Sequence, residues 1–213
     1  MYMNQANKSL TGEARLSYVH LAAPYANPSQ PNAEAKYGVT LLIPKSDTTT
    51  KADIDNSINA AINAAVNGKT WNGVRPPRIP TPSHDGDGVR QDGTPYGPEC
   101  KGMWVLTAAR RAQDGKPWVC DISNTNVELA PQDAYSGMYA RCTIHFFGYN
   151  TGGKKGIGCS LDGVMRTRDG ESLGGAVKPT ANEFAQFAQA PQVNPVTGQP
   201  MTGQINPVTG LPM

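Results

Sequence analysis

The sequence predicts a mainly β fold with one amphipathic helix, long loops and a flexible C-terminal tail. Three observations carry that expectation. Apolar residues alternate with period two in several short segments, and one stretch shows three- and four-residue apolar spacing. In addition, 23 glycines and 18 prolines among 213 residues supply turn chemistry that suits short strands better than a helical bundle. The length fits a single domain, residues 1–188, followed by an uncharged extension over 189–213. A core of about 185 residues is large enough to bury about two-thirds of the unfolded surface.

Residues 13–22 read as a first strand, closed by a turn-like stretch from Pro24 to Pro31. Residues 36–43 read as a second, in which Tyr37, Val39, Leu41 and Ile43 alternate with Lys36, Gly38, Thr40 and Leu42. Pro44 ends it, having no amide to donate to a ladder. The helix follows, with Ser46 or Asp47 as its cap. Ile54, Ile58, Ile62, Ala65 and Val66 form its apolar face, Asn56, Asn59, Asn63 and Asn67 lie off that face, and Gly68 suits a left-handed residue past its end.

Residues 69–100 contain six prolines and read as a long irregular segment. A hairpin is expected next, with strands 103–110 and 117–122 joined around Asp114-Gly115. From 138 to 149 the even positions Met138, Ala140, Cys142, Ile144 and Phe146 form a core-facing set. After a turn over 151–156 the chain returns through Ile157, Cys159 and Leu161 to Val164. A short helix is expected over 181–188. The tail repeats Asn-Pro-Val-Thr-Gly at 194–198 and 206–210, a composition that favours a flexible extension.

The net charge of +2 excludes a globally basic, histone-like binder. Its distribution is more informative. In residues 1–100, nine Lys and Arg balance nine Asp and Glu, whereas residues 138–168 carry Arg141, Lys154, Lys155, Arg166 and Arg168 against Asp162 alone. A local positive segment on a near-neutral chain points to a patch that meets an anion, or to an ordinary solvated hairpin. The cysteines Cys100, Cys120, Cys142 and Cys159 contain no CxxC pair, so a zinc ribbon is not expected. The first residues lack the apolar run of a signal peptide, and no stretch reaches the ~20 apolar residues of a membrane span. The expectation is a cytosolic protein with reduced thiols.

Catalytic patterns are absent from the sequence. Gly68-Lys69-Thr70 resembles the end of a phosphate loop, but Asn63 stands where that motif needs glycine. His20, His84 and His145 show no metal-ligand spacing, and His84-Asp85-Gly86-Asp87 reads as a solvated turn before it reads as a cation site. There is no Gly-x-Ser-x-Gly elbow. No cofactor, no metal and no enzymatic activity are expected.

The odd positions of 138–149 carry the functional reading. Tyr139, Arg141, His145, Phe147 and Tyr149 share the side opposite the core set. Rings stack on bases and cations follow phosphates, so this combination suits single-stranded nucleic acid. Lys154 and Lys155 fall in the adjoining turn. Arg110, Arg111 and Lys116 flank the preceding hairpin and extend the cationic track, with Trp118 or Trp104 as further stacking surfaces. The competing reading packs these rings beneath the long loop or the helix.

Several stretches then line up in order: Ala14–His20, Lys36–Asp47, the His84–Asp87 loop, Tyr135–Arg141, Gly153–Ile157, Leu161–Met165 and Arg168–Gly175. Over about residues 13–188 the chain resembles a family of phage single-stranded-DNA-binding proteins with an OB fold, long catalogued as a domain of unknown function. The resemblance implies an OB-like five-stranded β-barrel, a helix inserted after the second strand, and sequence-tolerant binding to displaced strands in phage replication or recombination. It places the protein in the cytoplasm of the infected bacterial host. Its implied partners are single-stranded DNA, then phage or host replication proteins, with room for weak homo-oligomerisation and none for a membrane.

A more distant similarity is to phage replication proteins that recruit polymerase through an acidic C-terminal tail. The tail here has no acidic residue, so recruitment by that route is not expected. Two alternatives differ in class. A phage structural or assembly protein would ignore DNA, and a nuclease accessory enzyme would need a carboxylate cluster that the sequence does not display.

Overall fold

The computed structural model describes residues 5–28, 33–90 and 92–174. The helix expected over 181–188 and the repeat-bearing tail lie outside the described residues.

The described residues form nine strands and one long helix: β1 (Lys8–Leu10), β2 (Ala14–Tyr25), β3 (Lys36–Pro44), α1 (Thr48–Asn67), β4 (Ser83–Asp85), β5 (Met103–Arg111), β6 (Trp118–Asp121), β7 (Asn124–Glu128), β8 (Tyr139–Thr151) and β9 (Lys154–Arg168). They form one sheet in the order β4-β5-β3-β2-β8-β9-β6-β7, with β1 added to β8. The mainly β character and the helix inserted after β3 match the sequence. Five long strands, β5-β3-β2-β8-β9, curl so that β5 comes alongside β9. That seam is not hydrogen-bonded as a ladder, so the five-strand arrangement is OB-like in order but remains an open sheet with four short strands added.

The helix forms where the periodicity places it. Asp47 is the cap, its carboxylate accepting from the Thr50 amide at 3.0 Å. Ile54, Ile58, Ala61, Ile62 and Ala65 are buried against the sheet, and the four asparagines are exposed. Gly68 is not left-handed, in contrast to the sequence reading. It is extended (φ −95°) and is required because a Cβ would lie 2.7 Å from the Ala64 carbonyl. The left-handed positions come later, at Asn72 and Gly73.

Residues 69–90 and 92–100 are less irregular than their composition suggests. Trp71 is buried in the main core, with its indole N–H donating to the Tyr149 carbonyl at 2.9 Å. β4 pairs with β5, and Cys100 packs with Leu42 and Val105 in a second, smaller cluster.

The expected hairpin over 103–122 does not form. β5 pairs with β3 along its whole length and with β4 at Trp104–Leu106, and the rest of it runs alongside β9, while β6 pairs parallel to β9 and antiparallel to β7. Asp114-Gly115 still turns the chain, with Gly115 at φ +81°. The β8–β9 turn is tighter than expected. Gly152 and Gly153 both have positive φ, as a two-residue hairpin requires, and Lys154 and Lys155 therefore open β9 instead of occupying the turn.

All four cysteines are free and buried. Burial pushes the Cys142 thiol up to about 12, so it sits in the core as an apolar, protonated group. At the β6–β9 edge, Asp121 accepts from the Ser123 hydroxyl (2.6 Å) and amide (2.9 Å) and from Arg166 Nε (2.6 Å). These donors lower its pKa to about 2. A depressed carboxylate stabilises the fold fully above its unfolded value near 3.8, and the contribution is lost as pH falls through about 2. Asp121→Asn should therefore melt below wild type at neutral pH, and the two curves should converge near pH 2. Thermal melts across that range check this.

Candidate nucleic-acid interface

β8 positions the site through its alternation. Met138, Ala140, Cys142, Ile144 and Phe146 are fully buried, which directs Tyr139, Arg141, Thr143, His145, Phe147 and Tyr149 to the opposite face. Tyr139 and Tyr149 are ten residues apart, on the order of 33 Å along an extended strand. The structure divides the set between the two ends.

At one end, His145, Phe147 and Tyr149 form one bank of a groove of about 970 Å³ at the β5–β9 seam. Lys36, Arg110 and Arg111 form the other. Lys154 and Lys155 pair with Thr151 and Asn150 beside it. The register explains how rings become a floor. Phe147 lies opposite Gly158, and Tyr149 opposite Gly156. A Cβ on Gly158 would come within 2.6 Å of Phe147 Cζ, and one on Gly156 would collide with Tyr149 Oη. Both rings therefore lie along the sheet across a bare neighbour, and Phe147 keeps 44% of its surface exposed. A ring held flat with an open side is a stacking platform.

Asp162 organises the cations around the floor. It is the extra residue of a bulge in β9, between the Thr143↔Gly163 and Ile144↔Leu161 pairs, and the bulge turns it outward. His145 Nδ1 lies 2.9 Å from each carboxylate oxygen, Arg110 Nη1 at 3.7 Å and Lys8 Nζ at 3.8 Å. Arg110 also donates to the carbonyls of Asp114 (2.7 Å) and Gly115 (2.9 Å). It is thus a structural clamp across the seam. Arg111 pairs with Asp114 at 2.8 Å but stays half-exposed at the groove lip.

At the other end of β8, Tyr139 packs beneath Arg168, whose guanidinium carbon is 3.4 Å from the ring centroid, with Arg15 at 6.0 Å. Arg168 is in turn paired with Glu13 at 2.9 Å. Arg141 is exposed next to this cluster. Lys116 is paired with Glu128, and Trp118 lies on β6 in register with Gly163, 49% exposed, its indole N–H donating to the Thr125 carbonyl at 3.3 Å. Neither lines the groove. Trp104 is covered by Lys45 and Lys51, both within about 5 Å of its ring. In the His84–Asp87 loop, Lys45 pairs with both carboxylates, at 2.5 Å to Asp85 and 2.7 Å to Asp87, which lowers the pKa of each.

Sequence reasoning missed Lys36, Asp162 and the two glycines. The glycines had a signal: Gly156-x-Gly158 alternates inside a strand, where glycine commonly marks a close approach.

Fold and groove together define the class, an OB-type β protein with an open, aromatic-floored groove. The chain belongs to the Enterobacter phage Enc34 ssDNA-binding protein family, whose model matches residues 7–193. It is 30% identical to protein p50 of Acyrthosiphon pisum secondary endosymbiont phage 1 over 182 residues, which cover 80% of this chain and 91% of that protein. The single-stranded DNA-binding protein of bacteriophage Enc34, solved in complex with ssDNA, superposes with a TM-score of 0.65 at 28% identity, covering 79% of this chain and 90% of that one. Bacteriophage T7 gp2.5, a single-stranded DNA-binding protein, shares the fold with a TM-score of 0.52 at 16% identity, over 85% of this chain and 94% of its own.

Proposed function

We propose that this protein binds single-stranded DNA without reading its sequence, laying bases on Phe147 and Tyr149 while Lys36, Arg111, Lys154 and Lys155 follow the phosphates. The observation that carries the proposal is the pair of rings held flat over Gly156 and Gly158 in a groove banked by cations. Every base has a π-face, so such a floor is indifferent to sequence. Membership in a family of ssDNA-binding proteins supports the same reading.

The finer reading is a non-enzymatic protein that coats and protects displaced strands during phage DNA replication or recombination, in the cytoplasm of the infected host. It includes contact with phage or host replication proteins and weak self-association. The 1–188 region is its binding domain and 189–213 an extension. Among the described residues no helix is long and apolar enough to cross a membrane. Incubating the protein with labelled strands and divalent metal should leave the strands intact.

Lys154 and Lys155 extend the track as point charges. Replacing both with alanine should weaken binding to every sequence and flatten the log–log salt dependence by about 0.7 for each phosphate left without its cation. Salt titrations of the double variant against wild type measure that slope; an unaltered slope would remove these lysines from the phosphate path.

A further inference from the structure

Among the described residues, Tyr18 and Asn72 are the non-glycine positions with positive φ. Asparagine enters that region readily, whereas a bulky ring there is an outlier that costs stability. At Tyr18 (φ +48°) the cause is a bulge: Tyr18 and Val19 face the single residue Val39 between the Ser17↔Thr40 and His20↔Gly38 pairs. The Val19 amide is held by the Ser136 hydroxyl at 3.0 Å. The result is a tyrosine 61% exposed at the lip of a second groove of about 440 Å³. Across it stand Arg90, 5.3 Å from the Tyr96 ring centroid, with His84 and the acidic Glu99. Strain kept at an exposed aromatic points from geometry to function.

The two grooves share a face. Successive pairs of β5 and β3 on that side are Arg111↔Lys36, Ala109↔Gly38 and Thr107↔Thr40. The first pair lines the seam groove and the last lines the second. Between them, Ala109 and Gly38 raise nothing larger than a methyl group. His20, in register with Gly38, stacks on Tyr25 at 4.5 Å and flanks this saddle.

We propose that Tyr18 is a second stacking platform, on which the strand leaving the Lys36–Arg111 lip lays a further base after crossing the Ala109–Gly38 saddle. This rests on the single-strand reading above and extends it to a longer path. The subsite takes a nucleobase between Tyr18 and the Arg90–Tyr96 pair, and its near-neutral charge makes it a ring-stacking site, not a phosphate site.

Tyr18→Gly separates binding from folding, because glycine adopts φ +48° without strain. The variant should melt at or above wild type, yet bind long oligo-dT roughly 5-fold or more weakly. For oligomers near the lower end of the roughly 4–16 nucleotide range of OB sites, its affinity should equal wild type. Tyr18→Phe, which keeps the ring, should bind like wild type at every length. Unchanged affinity of Tyr18→Gly at all lengths, or an equal loss at all lengths, would overturn the proposal. If wild type itself bound no single strand, the parent reading would fail with it; wild-type binding with an indifferent Tyr18→Gly would reject only this platform.

Discussion

Phe147→Leu should weaken binding to oligo-dT by roughly 5- to 150-fold, the equivalent of ~1–3 kcal/mol for one lost base stack. Leucine keeps apolar volume at an exposed position, so the melting temperature should hardly move. The salt slope should also stay, since every cation along the groove remains in place. Gly158 offers a second handle on the same ring. A methyl group at Gly158 would displace Phe147 Cζ, the free end of a side chain, and so would tilt the platform at little cost to the fold. Gly158→Ala should lower affinity in the wild-type background and do little in the Phe147→Leu background. That coupling distinguishes a platform from a residue that merely packs. Anisotropy titrations of the four proteins complete the cycle, and additive losses would contradict it.

Trp71→Ala should cost about 3–5 kcal/mol of stability, among the largest single-residue effects in the domain. Trp71 is 1% exposed and lies where the end of α1 meets β8. Gly148 permits this close approach, since a Cβ there would collide with Ala65 and lie 3.7 Å from Trp71 Cε2. At about 2–4 °C per kcal/mol for a domain of this size, the melting temperature should drop by roughly 6–20 °C. Trp71→Phe fills most of the space but abandons the Tyr149 carbonyl, and should cost closer to ~1 kcal/mol. A loss below that for Trp71→Ala would mean that the site collapses freely around the missing ring.

The parts of the fold legible in the sequence are those with a long period. α1 and β8 each carry enough turns or alternations to fix their faces, and the alternation of β8 puts Phe146 and Phe147 on opposite sides, as the structure does. β1, β4 and β7 span three to five residues, too few for a period to show. The 103–122 hairpin fails as an expectation because Asp114-Gly115 is a local turn signal, whereas the pairing of β6 with β9 and of β5 with β3 is non-local. Half of the groove is legible for the same reason. His145, Phe147 and Tyr149 share one strand, but Lys36 and Arg111 reach them across a seam that only the curl of the sheet creates. Arg110 has the sequence setting of a phosphate ligand, yet Asp114, Gly115 and Asp162 hold it as a clamp.

The most direct measurement is fluorescence anisotropy of labelled oligo-dT titrated with the full chain at several salt concentrations, beside a matched duplex. Tight binding that weakens with salt and favours the single strand is the expected result. No binding to the single strand even at low salt would contradict the proposed function and favour a virion or assembly role.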